Sequence, residues 1–129
     1  MKVVDINGVY EPTNIHELET ILMKTCGNGF NSFWLSHEGE EYPTLSLLVK
    51  DNLATLNYLP KEYDAGFRSV GRVPGLKPGD TTTFSINTNR ADDLIVQNDA
   101  VLPFSTALQA AKEFFFSKDL PRSVDWLQL

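Results

Sequence analysis

The clearest pattern of apolar and polar positions lies near the C-terminus, where apolar residues recur at the spacing of a helix. Residues three, four and seven apart share one face of a helix, so the pattern predicts an amphipathic helix over about residues 103–117. Pro103 is tolerated in the first turn of such a helix, and Pro121 prevents its continuation. We expect Trp126 to pin the tail that follows to the core. The recurring residues are Phe104, Ala107, Leu108, Ala111, Phe114 and Phe115.

A second helical pattern lies near the N-terminus. Asn14 is a good cap for the first turn, and Glu17, at the third helical position, can reciprocate. Gly27 favours the left-handed conformation that commonly ends helices. The sequence therefore predicts a helix over about residues 14–26. Its apolar face consists of Ile15, Leu18, Ile21 and Leu22.

The segments 42–50 and 53–59 are predicted to pair as a β-hairpin. Only Asp51 and Asn52 separate them, and both residue types tolerate the positive φ angles of a two-residue turn. An antiparallel register across this turn sets apolar residues opposite each other on one pleat face and leaves a mixed face on the other. The expected apolar pairs are Val49 with Ala54, Leu47 with Leu56, and Leu45 with Tyr58.

Four further strands are predicted, and the glycine- and proline-rich residues 71–79 are expected to form a loop. The expected fold class is α+β, with an antiparallel sheet of about six strands and with the N-terminal and C-terminal helices packed on one face. A chain of 129 residues is the size of one domain, so we expect a single domain over residues 1–129. The four further strands are residues 30–36, 66–71, 81–87 and 92–96.

The composition excludes a disordered chain and favours a basic partner. Apolar residues make up 42% of the chain, and 17 acidic residues against 11 basic ones give a net charge of −6. Such a charge works against nucleic acid or an anionic membrane as a partner and suits a basic protein surface. Cys26 is the only cysteine, which excludes an intramolecular disulfide and fits a reducing compartment. Residues 1–5 do not begin a secretory signal, and no stretch approaches the roughly 20 apolar residues of a membrane span, so we expect a cytoplasmic protein.

The sequence contains no recognisable pattern of catalytic or metal-binding residues. His16 and His37 have no paired ligand motif and are interpreted as solvated surface residues. Cys26 is predicted at the C-terminal end of a helix, where the helix dipole disfavours a thiolate. Neither glycine-rich segment, 27–29 or 71–79, has a phosphate-binding pattern, and no Gly-x-Ser-x-Gly elbow is present. We therefore expect no catalytic residue, no cofactor and no metal.

The acidic residues concentrate in three predicted connections. If the six strands form an up-and-down meander, the connections 37–41, 61–65 and 87–93 emerge at the same end of the sheet. We predict that this end docks on a basic surface of a partner, with electrostatic steering and with Tyr63 as an aromatic contact. An ordinary solubilising surface is the alternative interpretation. The acidic residues, which outnumber the basic Lys61 and Arg90, are Glu38, Glu40, Glu41, Glu62, Asp64, Asp92 and Asp93.

Trp34 is predicted on the sheet face that the helices do not cover. It alternates with Ser32 and Ser36, away from the face of Phe33 and Leu35. An exposed tryptophan on that face is typical of a binding anchor, whereas a tryptophan capped by the tail is the structural alternative. We include Trp34 among the predicted partner-binding residues.

Five stretches follow one another in the order and spacing of a known family. They are Tyr-Pro-Thr-Leu-Ser-Leu from residue 42, Ala-Thr-Leu-Asn-Tyr from residue 54, Gly-Phe-Arg-Ser-Val-Gly from residue 66, Ala-Leu-Gln-Ala-Ala-Lys-Glu-Phe-Phe from residue 107, and Leu-Pro followed by Val-Asp-Trp from residue 120. Over about residues 30–129 the chain resembles the first-numbered Imm family of bacterial immunity proteins. Members of that family are encoded beside polymorphic toxins, many of them nucleic-acid deaminases, and neutralise the toxin by binding it. Two features depart from the family pattern: Pro103 and Phe104 stand where a polar helix cap is expected, and residues 72–80 have no counterpart.

The resemblance implies a cytoplasmic inhibitor that performs no reaction of its own. We expect one cognate toxin bound one-to-one, and no nucleic acid, membrane or cofactor as a partner; a monomer is favoured, and the sequence leaves the oligomeric state open. A toxin that acts on nucleic acid is expected to carry a basic substrate groove, which the acidic end of the sheet would complement. A generic protein–protein adaptor with several partners is the alternative. An enzyme is a further alternative, which would demand a pocket with converging groups of perturbed pKa.

Overall fold

The computed structural model describes residues 1–25 and 29–129 as an α+β fold with two helices and largely antiparallel strands. The helices are α1 (Ile15–Leu22) and α2 (Phe104–Phe116). The strands are β1 (Lys2–Asp5), β2 (Gly8–Tyr10), β3 (Phe30–Ser36), β4 (Thr44–Lys50), β5 (Leu53–Leu59), β6 (Phe67–Val70), β7 (Thr81–Phe84), β8 (Leu94–Gln97), β9 (Val101–Pro103) and β10 (Asp125–Gln128).

Both predicted helices are present, and local hydrogen bonds begin the first of them. The Asn14 Oδ1 accepts a hydrogen bond from the Glu17 N–H at 2.9 Å, and the Glu17 carboxylate accepts in return from a backbone N–H just before the helix at 2.9 Å. Helix α1 ends earlier than predicted, and Cys26 and Gly27, which were expected to end it, lie outside the described residues. Helix α2 begins directly after Pro103, as predicted.

Eight strands form one antiparallel sheet in the order β10-β6-β5-β4-β3-β1-β2, with β9 pairing to β5 beside β6. The prediction of about six strands is therefore wrong. Four strands of this sheet, β1, β2, β9 and β10, lie outside the predicted strand segments and contain only three or four residues each. Segments this short hold too few positions for an alternating pattern to be recognised.

The β4–β5 hairpin has the predicted register. Asp51 adopts a φ of 54° in the two-residue turn between the strands. Because the main core packs on one face of the hairpin, a one-residue slip would turn the apolar set away from that core, so the register is strongly specified. The apolar pairs are Leu45 with Tyr58, Leu47 with Leu56, and Val49 with Ala54.

The apolar face of the sheet and residues of both helices belong to one core cluster. Fully buried side chains from α1, α2 and β3 meet in it, among them Leu18, Phe114 and Phe33. Trp126 packs against this cluster, and its Nε1 donates a hydrogen bond to the Pro121 C=O at 2.8 Å. The tail is thus pinned to the core, as the sequence predicts.

Strands β7 and β8 pair with each other in a separate two-stranded sheet, so they do not complete the main sheet. Phe84, at the end of β7, is fully buried in a second cluster with Leu48 of β4 and Val101 of β9. Leu48 alternates along β4 with Leu47 and Val49, which face the main core, so the β7–β8 hairpin covers part of the opposite face. The expected meander is therefore wrong from β7 onward.

Strand β5 changes neighbours along its length, since β9 pairs with its first half and β6 with its second half. At the branch, the Ser69 Oγ accepts a hydrogen bond from the Leu56 N–H at 3.1 Å and donates one to the Ala100 C=O at 2.8 Å. A Cβ at Gly71 would lie 2.1 Å from the Leu102 Cδ2, so a side chain there would collide with β9. Ser69 and Gly71 together let β6 and β9 share one edge of β5.

Candidate functional site

Two acidic connections emerge at one end of the main sheet. Because neighbouring strands are antiparallel, β3 and β5 end where β4 and β6 begin. Four glutamates in these connections are exposed, and Asp64 is half-buried beside them. We call these five residues the acidic end: Glu38, Glu40, Glu41, Glu62 and Asp64.

Two members of the acidic end form polar contacts inside the protein. Glu40 forms an ion pair with Lys118, which follows α2. The Asp64 Oδ1 accepts a hydrogen bond from the Gly66 N–H at 2.7 Å. Gly66 has a φ of 78°, and a Cβ there would lie 2.3 Å from the Tyr58 carbonyl oxygen, so this turn requires glycine. The carboxylates with no hydrogen bond or ion pair to a described residue are those of Glu38, Glu41 and Glu62.

The meander expected from the sequence places Asp92 and Asp93 at the acidic end, and this placement is wrong. Both residues belong to the connection between β7 and β8, which form a sheet of their own. The Asp92 Oδ2 accepts a hydrogen bond from the Asn87 Nδ2 at 2.9 Å within this connection. The Ser32 Oγ, in the first half of β3, donates to the Ile86 C=O at 3.2 Å, so the connection starts near the opposite end of β3. Contact of Asp92 and Asp93 with a partner stays a prediction.

Tyr63 projects from the tip of the β5–β6 connection with 98% of its surface exposed. Its φ is 63°, in the left-handed region that costs a non-glycine residue about 1–2 kcal/mol. The Asp64 N–H donates to the Lys61 C=O at 3.3 Å and closes the turn around it. Strain at a fully exposed aromatic residue points to function, because no packing in the free protein compensates for it.

Trp34 lies on the sheet face opposite the main core and is 47% exposed. We call this part of the sheet, which carries the exposed Trp34, the buried Ser46 and the half-buried Asn57, the open face. Trp34 lines a cavity of about 230 Å³ together with Leu59 and Glu41, so the cavity adjoins the acidic end. Strand β10 pairs with β6 at the far edge of the sheet, and the tail therefore does not cap Trp34.

His37 packs the β3–β4 connection against α2. Its ring centroid lies 4.9 Å from that of Phe114. Burial lowers the pKa of His37, a hydrogen bond with the Phe114 backbone opposes this shift, and the charge of Lys118 adds to it. The interpretation of His37 as a solvated residue is therefore wrong, whereas His16 is exposed. On the neighbouring β5, the Tyr58 hydroxyl donates a hydrogen bond to the Lys118 C=O at 2.7 Å, and burial raises the pKa of Tyr58.

An apolar groove that the sequence pattern does not predict lies between β8 and the open face. It has a volume of about 240 Å³, and its lining includes Leu94 and Ile95 of β8, Asn57, Arg68 and Leu129. The sequence predicts β8 as a strand of the main sheet, where its apolar run would be buried. No local signal distinguishes that position from a small separate sheet, so the groove was missed.

Three remaining features of the described residues concern metal binding, membrane spanning and a further cavity. In residues 1–25 and 29–129, no group of three or more His, Cys, Asp or Glu side chains is arranged to hold a metal ion. No helix in the described part of the chain combines the length and the hydrophobicity of a membrane span. A further cavity of about 490 Å³ opens beside Glu38, with Lys2, Glu11 and Phe115 in its wall. Its lining mixes charged and apolar groups.

Comparison with known proteins connects the chain to one functional class. No protein-family model matches it. The chain is similar to a protein of Burkholderia cenocepacia (strain H111) named double-stranded DNA deaminase immunity protein. The two are 26% identical over 125 residues, which make up 97% of each chain. This similarity supports an immunity-protein family, as the sequence resemblance implies, and leaves the numbered family a prediction.

Proposed function

We propose that this protein is an immunity protein that binds and neutralises a cognate bacterial toxin, and that the toxin is a nucleic-acid deaminase. The observation that carries the proposal is the similarity, over 97% of both chains, to a protein named for immunity to a double-stranded DNA deaminase. The five stretches that resemble the first-numbered Imm family support the same function, and we extend the proposal to membership of that family. The protein acts in the cytoplasm as a monomer, forms a one-to-one complex and performs no reaction of its own.

The acidic end, Tyr63 and the cavity beside Trp34 are the proposed contact surface. A deaminase that acts on DNA must hold a polyanion, so its substrate site is expected to be basic. Exposed glutamates on two neighbouring connections complement such a site, and charges of this kind raise the association rate more than the final affinity. Tyr63 and Trp34 supply aromatic contact area beside the charges. An acidic surface seated on the basic site excludes DNA without any chemistry.

The proposed function is tested by co-expressing the protein with the product of the gene adjacent to its own, which we expect to be the deaminase toxin. We expect growth to be restored and the purified toxin to stop deaminating DNA when the protein is added. Size-exclusion chromatography with light scattering should give the mass of a one-to-one complex. Growth arrest and undiminished deamination in the presence of the folded protein contradict the proposal.

The role of the acidic end is tested separately by charge reversal. Glu38→Lys combined with Glu62→Lys changes two exposed side chains in the two connections. We expect the association rate at low salt to fall by about tenfold or more and its salt dependence to flatten, since steering extends over a Debye length of about 10 Å. Asp80→Lys combined with Asp125→Lys changes the net charge equally at exposed positions elsewhere and should slow association less. An unchanged rate for the Glu38 and Glu62 variant contradicts this role even where immunity is retained.

A further inference from the structure

Strand β8 has an unpaired edge whose residues are mostly apolar. It pairs with β7 on one side, and no other described strand pairs with it. Its sequence is Leu-Ile-Val-Gln, and Ile95 is 74% exposed. Exposed edge strands usually carry charged residues or proline, because their unpaired N–H and C=O groups can pair with an extended segment of another chain. Strand β8 carries neither.

The groove beside this edge has the lining of a peptide-binding site. The buried Leu48 and Thr55 lie on its sheet side, and the half-buried Asn57 and Arg68 lie farther along the same face. Peptides that add to a sheet edge gain affinity from main-chain hydrogen bonds and specificity from pockets for alternate side chains. The edge of β8 offers main-chain groups for hydrogen bonds, and the groove of about 240 Å³ offers space for alternate side chains.

Acidic residues flank β8 on both sides. Asp92 and Asp93 precede the strand, and Asp99 follows it by two residues. The Arg68 guanidinium lies 3.4 Å from the Asp99 carboxylate and offsets one of these charges. Arg90 precedes Asp92 in the same connection, so three carboxylates against two guanidinium groups leave a net charge of −1 around β8, which favours a segment that carries basic residues.

We propose that an extended, basic segment of the partner toxin binds in this groove as an added strand beside β8. This inference rests on the proposed function and adds a contact site distinct from the acidic end. A second copy of this chain fits the edge less well. Antiparallel pairing of two β8 strands, centred between Ile95 and Val96, sets Asp92 of one copy opposite Asp99 of the other. Like charges directly opposite each other destabilise a strand pair.

The test uses the full chain and the toxin that the co-expression experiment identifies. Backbone hydrogen–deuterium exchange is measured with and without the toxin, and we expect the outward-facing amides of β8 to exchange about tenfold or more slowly in the complex, because they become hydrogen-bonded. Ile95→Lys should weaken toxin binding by about tenfold or more, because it sets a positive charge against a basic segment. Val9→Lys is the matched control, since Val9 is 59% exposed on β2, an edge strand of the main sheet. It should change the affinity by less than about twofold.

The outcomes separate this inference from the proposed function. Slower exchange in β8, together with weaker binding of Ile95→Lys but not of Val9→Lys, supports the inference. Toxin binding with unchanged exchange in β8 and full affinity of Ile95→Lys overturns it and leaves the proposed function intact. Failure of the folded protein to bind the toxin overturns both. The free chain could instead form a concentration-dependent dimer that Ile95→Lys abolishes. That result would show that the edge of β8 binds a second copy of this chain, and it would also overturn the inference.

Discussion

Tyr63 offers a single-residue test in which stability and binding should move in opposite directions. Tyr63→Gly removes a left-handed conformation, with a φ of 63°, that costs a non-glycine residue about 1–2 kcal/mol. Glycine also destabilises the folded state by about 0.5–1 kcal/mol, because it increases the entropy of the unfolded chain. The side chain is 98% exposed and has almost no packing to lose, so the difference of these two terms is a gain of about 0–1.5 kcal/mol, with a midpoint of about 0.75 kcal/mol. The Tm of the free protein should rise, by about 3 °C at the midpoint of this range, which calorimetry measures.

The same substitution should weaken toxin binding, because Tyr63 is a proposed aromatic anchor. Loss of a hot-spot tyrosine costs at least about 2 kcal/mol, or about thirtyfold in Kd, which titration calorimetry resolves. Asp51→Gly is the control, since Asp51 also has a positive φ, 54°, but lies in the β4–β5 turn at the other end of the sheet. It should leave the Kd unchanged. A lower Tm for Tyr63→Gly would refute the claim that the backbone at Tyr63 is strained. A Kd equal to that of the parent protein would refute the role of Tyr63 as an aromatic anchor.

Two further predictions concern the stability of the fold. Burial lowers the pKa of His37 below its ordinary 6.5, so as the pH falls the unfolded chain takes up a proton at this residue before the folded chain does. The free energy of unfolding should therefore have its highest contribution from His37 above about pH 6.5 and should decline below that pH. His37→Gln should flatten this decline between about pH 7.5 and pH 5.5 in urea titrations, and a decline equal to that of the parent protein would contradict the assignment. Ser69→Ala leaves the buried Leu56 N–H without its partner and should lower the free energy of unfolding by about 1–3 kcal/mol in urea. Ser36→Ala on β3 should cost less than about 0.5 kcal/mol, and equal losses at both serines would argue against the branch-point role of Ser69.

The parts of the fold that follow from the sequence are those with a long pattern and one buried face. The β4–β5 hairpin has seven residues in each strand, and only one register buries its apolar set. Helix α2 has a long apolar repeat with a proline at its start. Strand β9 has no such signal, because it contains three residues, two of which are buried in succession, immediately before the helix. Its pairing with β5 depends on long-range packing that local pattern does not encode.

The sequence predicts the parts of the candidate site that depend on the alternation of buried and exposed residues along a strand. It does not predict the parts that depend on which strands pair with each other. Trp34 is exposed because it alternates with the buried Phe33 and Leu35, as the sequence indicates. Asp92 and Asp93 are misplaced by the sequence pattern because Phe84 buries its ring against the opposite face of the main sheet and takes β7 and β8 out of the meander. An apolar run predicts a strand but not the sheet to which the strand belongs. The exposed edge of β8 could therefore be found only in the folded chain.

The two surfaces proposed to meet the toxin lie close together on the main sheet. Trp34 lies opposite Ser46, and Ser46 lies opposite Asn57 on the next strand. Trp34 lines the cavity beside the acidic end, whereas Asn57 lines the groove beside β8. Two strand spacings of about 4.8 Å separate Trp34 from Asn57, so the cavity and the groove lie about 10 Å apart with the buried Ser46 between them. A standard interface covers about 800 Å² of each partner, which is wide enough to include both. A toxin steered onto the acidic end would therefore already hold an extended segment within reach of β8, and one docking event could form both contacts.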